Sequence, residues 1–177
     1  MSLENNFQLM AEYNQWMNEK LYEVSSTLPE DGIAADRGAF FKSILGTLNH
    51  ILVADTIWLK RFLSHPARFT SLEFLQSTDN PKALAEILYS DFSQLRQARQ
   101  SMDASIIEFV HQAKESDYEY HLPYRNTQGN PYCKKFGLLV HHFFNHQTHH
   151  RGQLTVLLSQ AGLDFGSTDL LGKIPGV

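Results

Sequence analysis

Four long stretches of the chain carry apolar residues at three- and four-residue steps, the spacing that places them on one side of an α-helix. In the first stretch, Phe7, Met10 and Met17 follow this rhythm, and Pro29 and Gly32 mark its end. Each stretch is long enough for at least seven helical turns at about 3.6 residues per turn. The pattern therefore predicts four helices, at residues 3–28, 39–64, 79–112 and 134–161.

Local signals support the ends of these helices. His65-Pro66 closes the second one, because the residue before a proline disfavours helical backbone. Asp79 followed by Asn80-Pro81 places a capping residue and a first-turn proline at the start of the third. Gly162 is expected to form a left-handed cap after the fourth.

A short two-stranded hairpin is predicted between the third and fourth helices. Tyr118, Tyr120 and Leu122 alternate with polar residues, and residues 126–130 are rich in turn formers. Helices of such length around one core predict an all-α fold, a four-helix bundle with a hairpin or irregular loop before the last helix. The length of 177 residues fits one domain covering 1–177.

Composition and charge exclude several classes of protein and of binding partner. Hydrophobic residues make up 42% and charged residues 19%, which is ordinary for a globular protein, and the net charge of −4 argues against nucleic-acid binding. There is no apolar run long enough for a membrane span, and the polar N-terminus lacks the order of a signal peptide. A single cysteine, Cys133, cannot form an intrachain disulfide, so we expect a cytoplasmic protein.

Histidine is the one residue type that points to chemistry. Five of the nine histidines lie between positions 141 and 150. At about 100° per residue, His146 and His150 fall within the apolar stripe of the fourth helix, whereas His142 and His149 flank it and His141 points away. That stripe consists of Phe136, Leu139, Phe143, Leu154 and Leu157.

Two imidazoles one turn apart on a buried stripe favour a divalent metal, since each neutral ring can give the ion a lone pair. A hydrogen-bonded core pair or a pH-sensitive surface is the alternative. A third ligand would come from another helix, and helical phase does not choose among His50, His111 and the acidic residues. Glu108 and His111 form a single Glu-x-x-His motif, whereas a di-iron bundle needs two such motifs and two further Glu. His-Glu-x-x-His, the motif of zinc proteases, is absent.

Three motifs resemble those of the DinB family (the DinB/YfiT-like metalloenzymes). The first helix contains Tyr-Asn-Gln-Trp at 13–16, with Asn18. The second contains Leu-Asn-His-Ile-Leu at 48–52, followed by Asp55 and Trp58. The most specific is Asn-His-Gln-Thr-His-His-Arg-Gly-Gln at 145–153 in the fourth.

The resemblance implies a bundle in up-down-down-up order, a homodimer, and a metal held by three histidines. Carried over by motif position, the ligands are His50, His146 and His150. The phase argument selects His146 and His150 independently, whereas His50 rests mainly on the resemblance. The metal implied is zinc or nickel, and some relatives are transferases or isomerases that use a low-molecular-weight thiol.

Other polar residues allow two interpretations each. Asp55 either accepts a hydrogen bond from a ligand imidazole or forms an ion pair with a neighbouring helix, for example with Arg151. Arg151 alternatively orients an anionic substrate, and Gln153 either joins a network near the site or faces solvent. Cys133 is expected to be a small buried apolar residue rather than a nucleophile or a fourth ligand.

Taken together, the sequence predicts a divalent-metal-dependent enzyme with three histidine ligands and an open coordination position. Thiol transfer, isomerisation or hydrolysis of a small molecule would follow from that chemistry; the sequence identifies no catalytic side chain besides the ligands. The alternative is a non-catalytic metal-binding protein that serves dimerisation, interaction or a stress response. A third, weaker hypothesis is a sensor whose histidines titrate between about pH 5 and 7.

Overall fold

Four long helices and one small sheet dominate the computed structural model, which describes residues 2–176. The chain runs through α1 (Leu3–Ser25), α2 (Glu30–Ala34), α3 (Ile44–Phe62), α4 (Phe92–Gln112), β1 (His121–Arg125), β2 (Pro131–Lys135) and α5 (Phe136–Gln160). Short 3-10 helices lie at Thr70–Gln76, Glu115–Glu119 and Leu170–Lys173. The mainly helical fold predicted from the sequence is confirmed.

Side-chain caps decide where the middle helices begin. At α3, the Ser43 hydroxyl accepts a hydrogen bond from the Gly46 N–H at 2.9 Å. At α4, the Asp91 carboxylate accepts one from the Gln94 N–H at 2.9 Å. Because each bond satisfies an amide that the helix leaves free, α3 starts at Ile44 rather than at residue 39, and α4 starts at Phe92 rather than at residue 79.

The segment between the first 3-10 helix and α4, residues 77–91, is irregular, so the helix predicted from residue 79 is wrong there. Its apolar side chains Leu84 and Ile87 are 48% and 47% exposed instead of lying in the core. The Asn49 side chain donates to the Tyr89 carbonyl and accepts from the Tyr89 N–H, both at 3.0 Å. Partners on α3 thus replace helical hydrogen bonds in this segment, which we call the linking segment.

A tight turn at residues 39–43 replaces the predicted start of the second helix. The Lys42 N–H donates to the Ala39 carbonyl at 2.8 Å. A Cβ atom on Gly46 would lie 2.1 Å from the Phe41 carbonyl oxygen, so only glycine lets the turn approach α3 this closely. This approach brings the Phe41 ring against the face of α3 that carries His50.

The predicted hairpin is confirmed. Strands β1 and β2 are antiparallel, with Tyr124 opposite Tyr132, and β2 leads directly into α5, where the Phe136 N–H donates to the Tyr120 carbonyl at 2.7 Å. Cys133 lies on β2 and is exposed, which corrects the expectation that it is buried.

The core lies where the long helices meet. Helix α1 packs against α4 and α5, and α3 packs against α5. Gly162, with φ +78°, forms the left-handed cap predicted after α5. Within residues 2–176, none of the helices combines the length and apolar character needed to cross a bilayer. The contact between α3 and α5 positions the site described next.

Candidate metal centre

Three histidines from two helices meet at one point. His50 lies on α3, and His146 and His150 lie one turn apart on α5. The His150 Nε2 is 3.1 Å from the Nε2 of His50 and 3.1 Å from the Nε2 of His146. Within residues 2–176, no other group of three or more His, Cys, Asp or Glu side chains brings its ligand atoms close enough to share an ion.

Two of the three separations between these nitrogens fit one metal ion, and all three atoms lie within 4.8 Å of one another. Zinc–imidazole bonds of about 2.0–2.1 Å put two nitrogens of the same ion about 2.8–3.4 Å apart for octahedral to tetrahedral angles. The 3.1 Å separations lie in that range. A three-histidine cluster of this kind fits a metal-binding protein.

Hydrogen bonds at the far side of two rings fix where their protons are. The Nδ1 of His50 is 2.8 Å from the Leu84 carbonyl, which can only accept, so Nδ1 carries the proton. The Nδ1 of His150 donates to the Gln153 side-chain oxygen at 2.9 Å. In the neutral rings, both Nε2 atoms therefore present a lone pair to each other.

Burial keeps the rings neutral. His50 is 3% exposed and His150 is 8% exposed, while His146 is half-buried at the rim. Desolvation lowers the pKa of His50 and of His150. Desolvation, with the neighbouring His150 and His50, lowers the pKa of His146 to about 3. A proton between the Nε2 atoms of His50 and His150 would give one of these rings a positive charge, which burial disfavours. A metal ion bound to both lone pairs would satisfy the two nitrogens without protonating either ring.

Aromatic side chains cover part of the cluster. The Phe41 ring stacks on the His50 ring with centroids 3.7 Å apart and meets the His150 ring edge-on at 5.6 Å. Trp58 on α3 contacts His142 on α5, with ring centroids 5.0 Å apart. The apolar cover strengthens electrostatic interactions at the Nε2 atoms because it excludes water from one side.

A second polar cluster, which we call the ionic network, lies in the core and joins all four long helices. Arg99 on α4 bonds Asp55 on α3 at 2.5 Å and Asp103 at 2.8 Å. Gln147 on α5 donates to Asp55 at 2.9 Å. Its members are Asn14, Asn18, Asp55, Arg99, Asp103, Gln147 and Arg151.

The network explains two residues that the sequence left ambiguous. Asp55 bonds no ligand imidazole and forms its ion pair with Arg99 rather than with Arg151. Arg151 is buried and donates to Asn14 on α1 and to Thr148, so its position does not support contact with a substrate at the histidines. Both residues instead fix how α5 is rotated against its neighbours.

Other predicted candidates fall outside the cluster. His111 and Glu108 are exposed near the end of α4, and Cys133 is exposed on β2. His141 is exposed, and His149 accepts a hydrogen bond from the Gln153 amide at 3.1 Å. Gln153 therefore belongs to the network near the site, the first of its two predicted interpretations.

Sequence reasoning missed the Leu84 carbonyl and Phe41, because both lie in segments predicted to be helical. It also missed Arg99, Asp103 and Gln147 as a buried group. A usable signal existed for these three, since each occupies a position where the helical spacing calls for an apolar residue: Leu95, Met102 and Ile106 on α4, and Phe143 and Leu154 on α5.

Comparisons with known proteins agree with one another. A model of the DinB family matches residues 1–175. The chain is 25% identical over 160 residues to "Protein DinB" of Bacillus subtilis (strain 168), covering 90% of this chain and 88% of that protein. The crystal structure of a DinB-like protein from Bacillus cereus ATCC 10987 shares the fold, with a TM-score of 0.55 at 18% identity over 85% of this chain and 89% of that one.

Proposed function

Because the chain belongs to the DinB family, we propose that it is a divalent-metal-dependent enzyme whose ion is held by His50, His146 and His150. The proposal rests on the Nε2 atoms of His50 and His150, which lie 3.1 Å apart with their lone pairs facing each other. A cation bound to both atoms would stabilise this arrangement. Zinc or nickel is the proposed metal, since imidazole nitrogen suits both ions.

The proposal includes an open coordination position. No fourth His, Cys, Asp or Glu joins the three histidines within residues 2–176, and three protein ligands are typical of catalytic sites. An ion held there would supply Lewis acidity, which lowers the pKa of water or of a thiol that approaches it. We therefore propose a thiol-dependent S-transferase or isomerase with a low-molecular-weight thiol as cosubstrate, or a hydrolase, that acts on a small molecule.

The chain's own residues would prepare the site for this chemistry. The Leu84 carbonyl and the Gln153 side chain hold the protons of His50 and His150 on Nδ1, so that both Nε2 atoms stay free to bind. Phe41 shields the rings from water. The same proposal includes the up-down-down-up order of the four long helices, a homodimer and a cytoplasmic location.

Metal analysis tests the first half of the proposal. Protein made without an affinity tag is expected to bind one equivalent of zinc or nickel, measured by elemental analysis and titration calorimetry. His50→Ala, His146→Ala and His150→Ala are each expected to weaken binding about 100-fold or more. His141→Ala, an exposed histidine on the same helix, is the control and should bind normally. Stoichiometric metal in His150→Ala would contradict the ligand assignment.

Turnover tests the second half. Metal-loaded and chelated protein are compared on a panel of thiols with electrophiles, and on esters. We expect turnover that needs both the metal and the three histidines. The alternative, a non-catalytic interaction or stress-response protein, draws support from exposed apolar side chains such as Phe40 and Leu171, at 86% and 75%. Tight metal binding without turnover of any substrate pair would favour that alternative.

A further inference from the structure

A cationic cavity lies beside the histidine cluster. It has a volume of about 490 Å³ and opens between the end of α3, the linking segment and the turn of the hairpin. Four of the side chains that line it are basic: Lys60, Arg61, Lys82 and Arg125. No Asp or Glu lines it, although the whole chain carries a net charge of −4.

Among the described residues, the four basic side chains of the cavity have no acidic partner. The ion pairs among residues 2–176 involve Arg99 and Lys135, and none involves a cavity residue. Glu86 lies nearby, but its carboxylate accepts from the Lys82 N–H and does not line the cavity. Unpaired positive charges in a concave surface raise the local concentration of anions.

Arg61 is held in place by aromatic rings rather than by a carboxylate. Its guanidinium lies 4.5 Å from the Trp58 ring centroid and 5.3 Å from that of Tyr124. Stacking leaves the edge of the guanidinium, with its N–H donors, free to bind an anion. Arg125 donates to the Gly129 carbonyl at 2.7 Å, which fixes this second guanidinium within the hairpin.

The cavity and the histidine cluster share one face of α3. Ile57 and Arg61 follow His50 by two and three helical turns, and at about 1.5 Å per residue they lie roughly 10 and 16 Å farther along the axis. Leu84 joins the two places, since its carbonyl accepts from His50 and its side chain lines the cavity. A molecule that binds in both places would have to extend roughly 10 to 16 Å along α3.

We propose that this cavity binds the anionic end of the substrate, a small molecule with at least two negative charges, either a phosphate monoester or a dicarboxylate. Guanidinium groups bind both chemistries with paired hydrogen bonds. Anion binding stands on the cavity alone, whereas the placement of the reacting group at the histidines rests on the function proposed above.

Titration calorimetry with two probes tests the proposal. Inorganic phosphate and succinate are titrated into chelated protein, so that neither can bind a metal ion, and then into zinc-loaded protein. We expect at least one probe to bind at one equivalent with a Kd of about 10 mM or tighter, and to bind more weakly as salt increases. The tighter probe identifies the phosphate or the carboxylate class.

Charge-neutral variants show where the probe binds. Arg61→Gln is expected to weaken binding about tenfold and Lys82→Gln about threefold. Arg68→Gln, which removes an equal charge from an exposed position outside the cavity, should bind as the wild type does. Because Lys82 is exposed on the linking segment, its variant carries the test even if Arg61→Gln misfolds.

Two results would overturn the inference: no binding of either probe to the wild type, or equal affinity of the wild type, Arg61→Gln and Lys82→Gln. Zinc titration of the same proteins separates this inference from the function proposed above. Zinc binding without anion binding removes only the cavity proposal. Anion binding without zinc binding removes only the metal proposal.

Discussion

Two buried polar clusters, both of which include residues of α3 and α5, satisfy their polar atoms in opposite ways. In the ionic network, the charges of Asp55 and Asp103 are balanced by those of Arg99 and Arg151. In the histidine cluster, three neutral rings turn the same kind of atom, a nitrogen acceptor, toward one point. In the first cluster the protein itself supplies the opposite charges, whereas the converging lone pairs of the second call for a cation from outside.

The difference shows how to interpret buried polar residues. Removing one member of a balanced network leaves a charge without a partner, and the cost falls on stability. Removing one member of a set of converging acceptors takes away part of a binding site, and the cost falls on affinity. Four experiments separate these outcomes.

The largest effect is expected from Arg99→Met. The substitution leaves the Asp55 and Asp103 carboxylates unpaired in the core, so the free energy of unfolding should fall by about 3–5 kcal/mol. Urea denaturation of the chelated protein measures it. Arg96→Met, on the same helix but outside the ion pairs, is the control, and an equal loss in both variants would contradict the assigned role of the network.

The next effect is stabilisation by zinc. At a free zinc concentration about 100 times the Kd, the free energy of unfolding should rise by about 2.7 kcal/mol, because the ion binds the folded state alone. Thermal and urea denaturation with and without a chelator measure it. Arg96→Met should gain as much as the wild type, whereas a gain of the same size in His146→Ala would argue against the cluster as the zinc site.

A smaller effect is expected from Gln153→Leu. The substitution removes the acceptor that holds the His150 proton on Nδ1, so zinc affinity should fall about tenfold. Gln160→Leu, an exposed glutamine farther along α5, is the matched control. Calorimetry compares the two, and unchanged affinity in Gln153→Leu would mean that this hydrogen bond does not orient the ligand.

The smallest effect concerns His65, a buried histidine whose two ring nitrogens are satisfied by the protein. Nδ1 accepts from the Ala67 N–H at 3.1 Å, and Nε2 donates to the Asp117 carbonyl at 3.3 Å. Burial lowers the pKa of His65 below its ordinary value of 6.5. Below pH 6.5, the unfolded chain therefore binds a proton at His65 more readily than the folded chain does. The contribution of neutral His65 to the free energy of unfolding is complete above pH 6.5 and is lost as the pH falls.

Unfolding of His65→Leu measures that contribution. Between pH 7.5 and 5.5, both in chelator, the wild type should lose more of its free energy of unfolding than the variant does, with an upper limit of about 1.4 kcal/mol for one proton bound by the unfolded chain alone. All other titratable groups are common to the two proteins, so their contributions cancel in the difference. Identical pH slopes would show that His65 keeps an ordinary pKa, and would remove it as an example of a buried imidazole that needs no metal.

Much of this organisation could be predicted from the sequence. The apolar spacing located the four long helices, and the alternation near Tyr120 located the hairpin, because both patterns report which side of an element is buried. Phase also singled out His146 and His150. It could not select His50, which lies off the apolar stripe of α3 and is buried by the linking segment and Phe41 instead.

The wrong helix predictions concern segments whose backbone forms hydrogen bonds with the side chains of a distant segment. Residues 79–91 have helical spacing, yet Tyr89 pairs with Asn49 and Leu84 with His50, which are contacts between positions far apart in the chain. The same holds for the ionic network, whose members look like isolated polar substitutions until four helices bring them together. The spacing of apolar and polar residues along the chain does not reveal such pairings.

The hydrogen bond between Leu84 and His50 also ties the linking segment to the state of the cluster. An ion at Nε2 obliges the His50 proton to remain on Nδ1, and so enforces the bond to the Leu84 carbonyl. Without the ion, the bond to the Leu84 carbonyl is the only polar contact among residues 2–176 that fixes the protonated side of the ring, so it opens more easily. A protease that cuts after the exposed Lys82 would then distinguish the metal-bound protein from the metal-free protein. Limited proteolysis of the linking segment would therefore report whether the metal is bound.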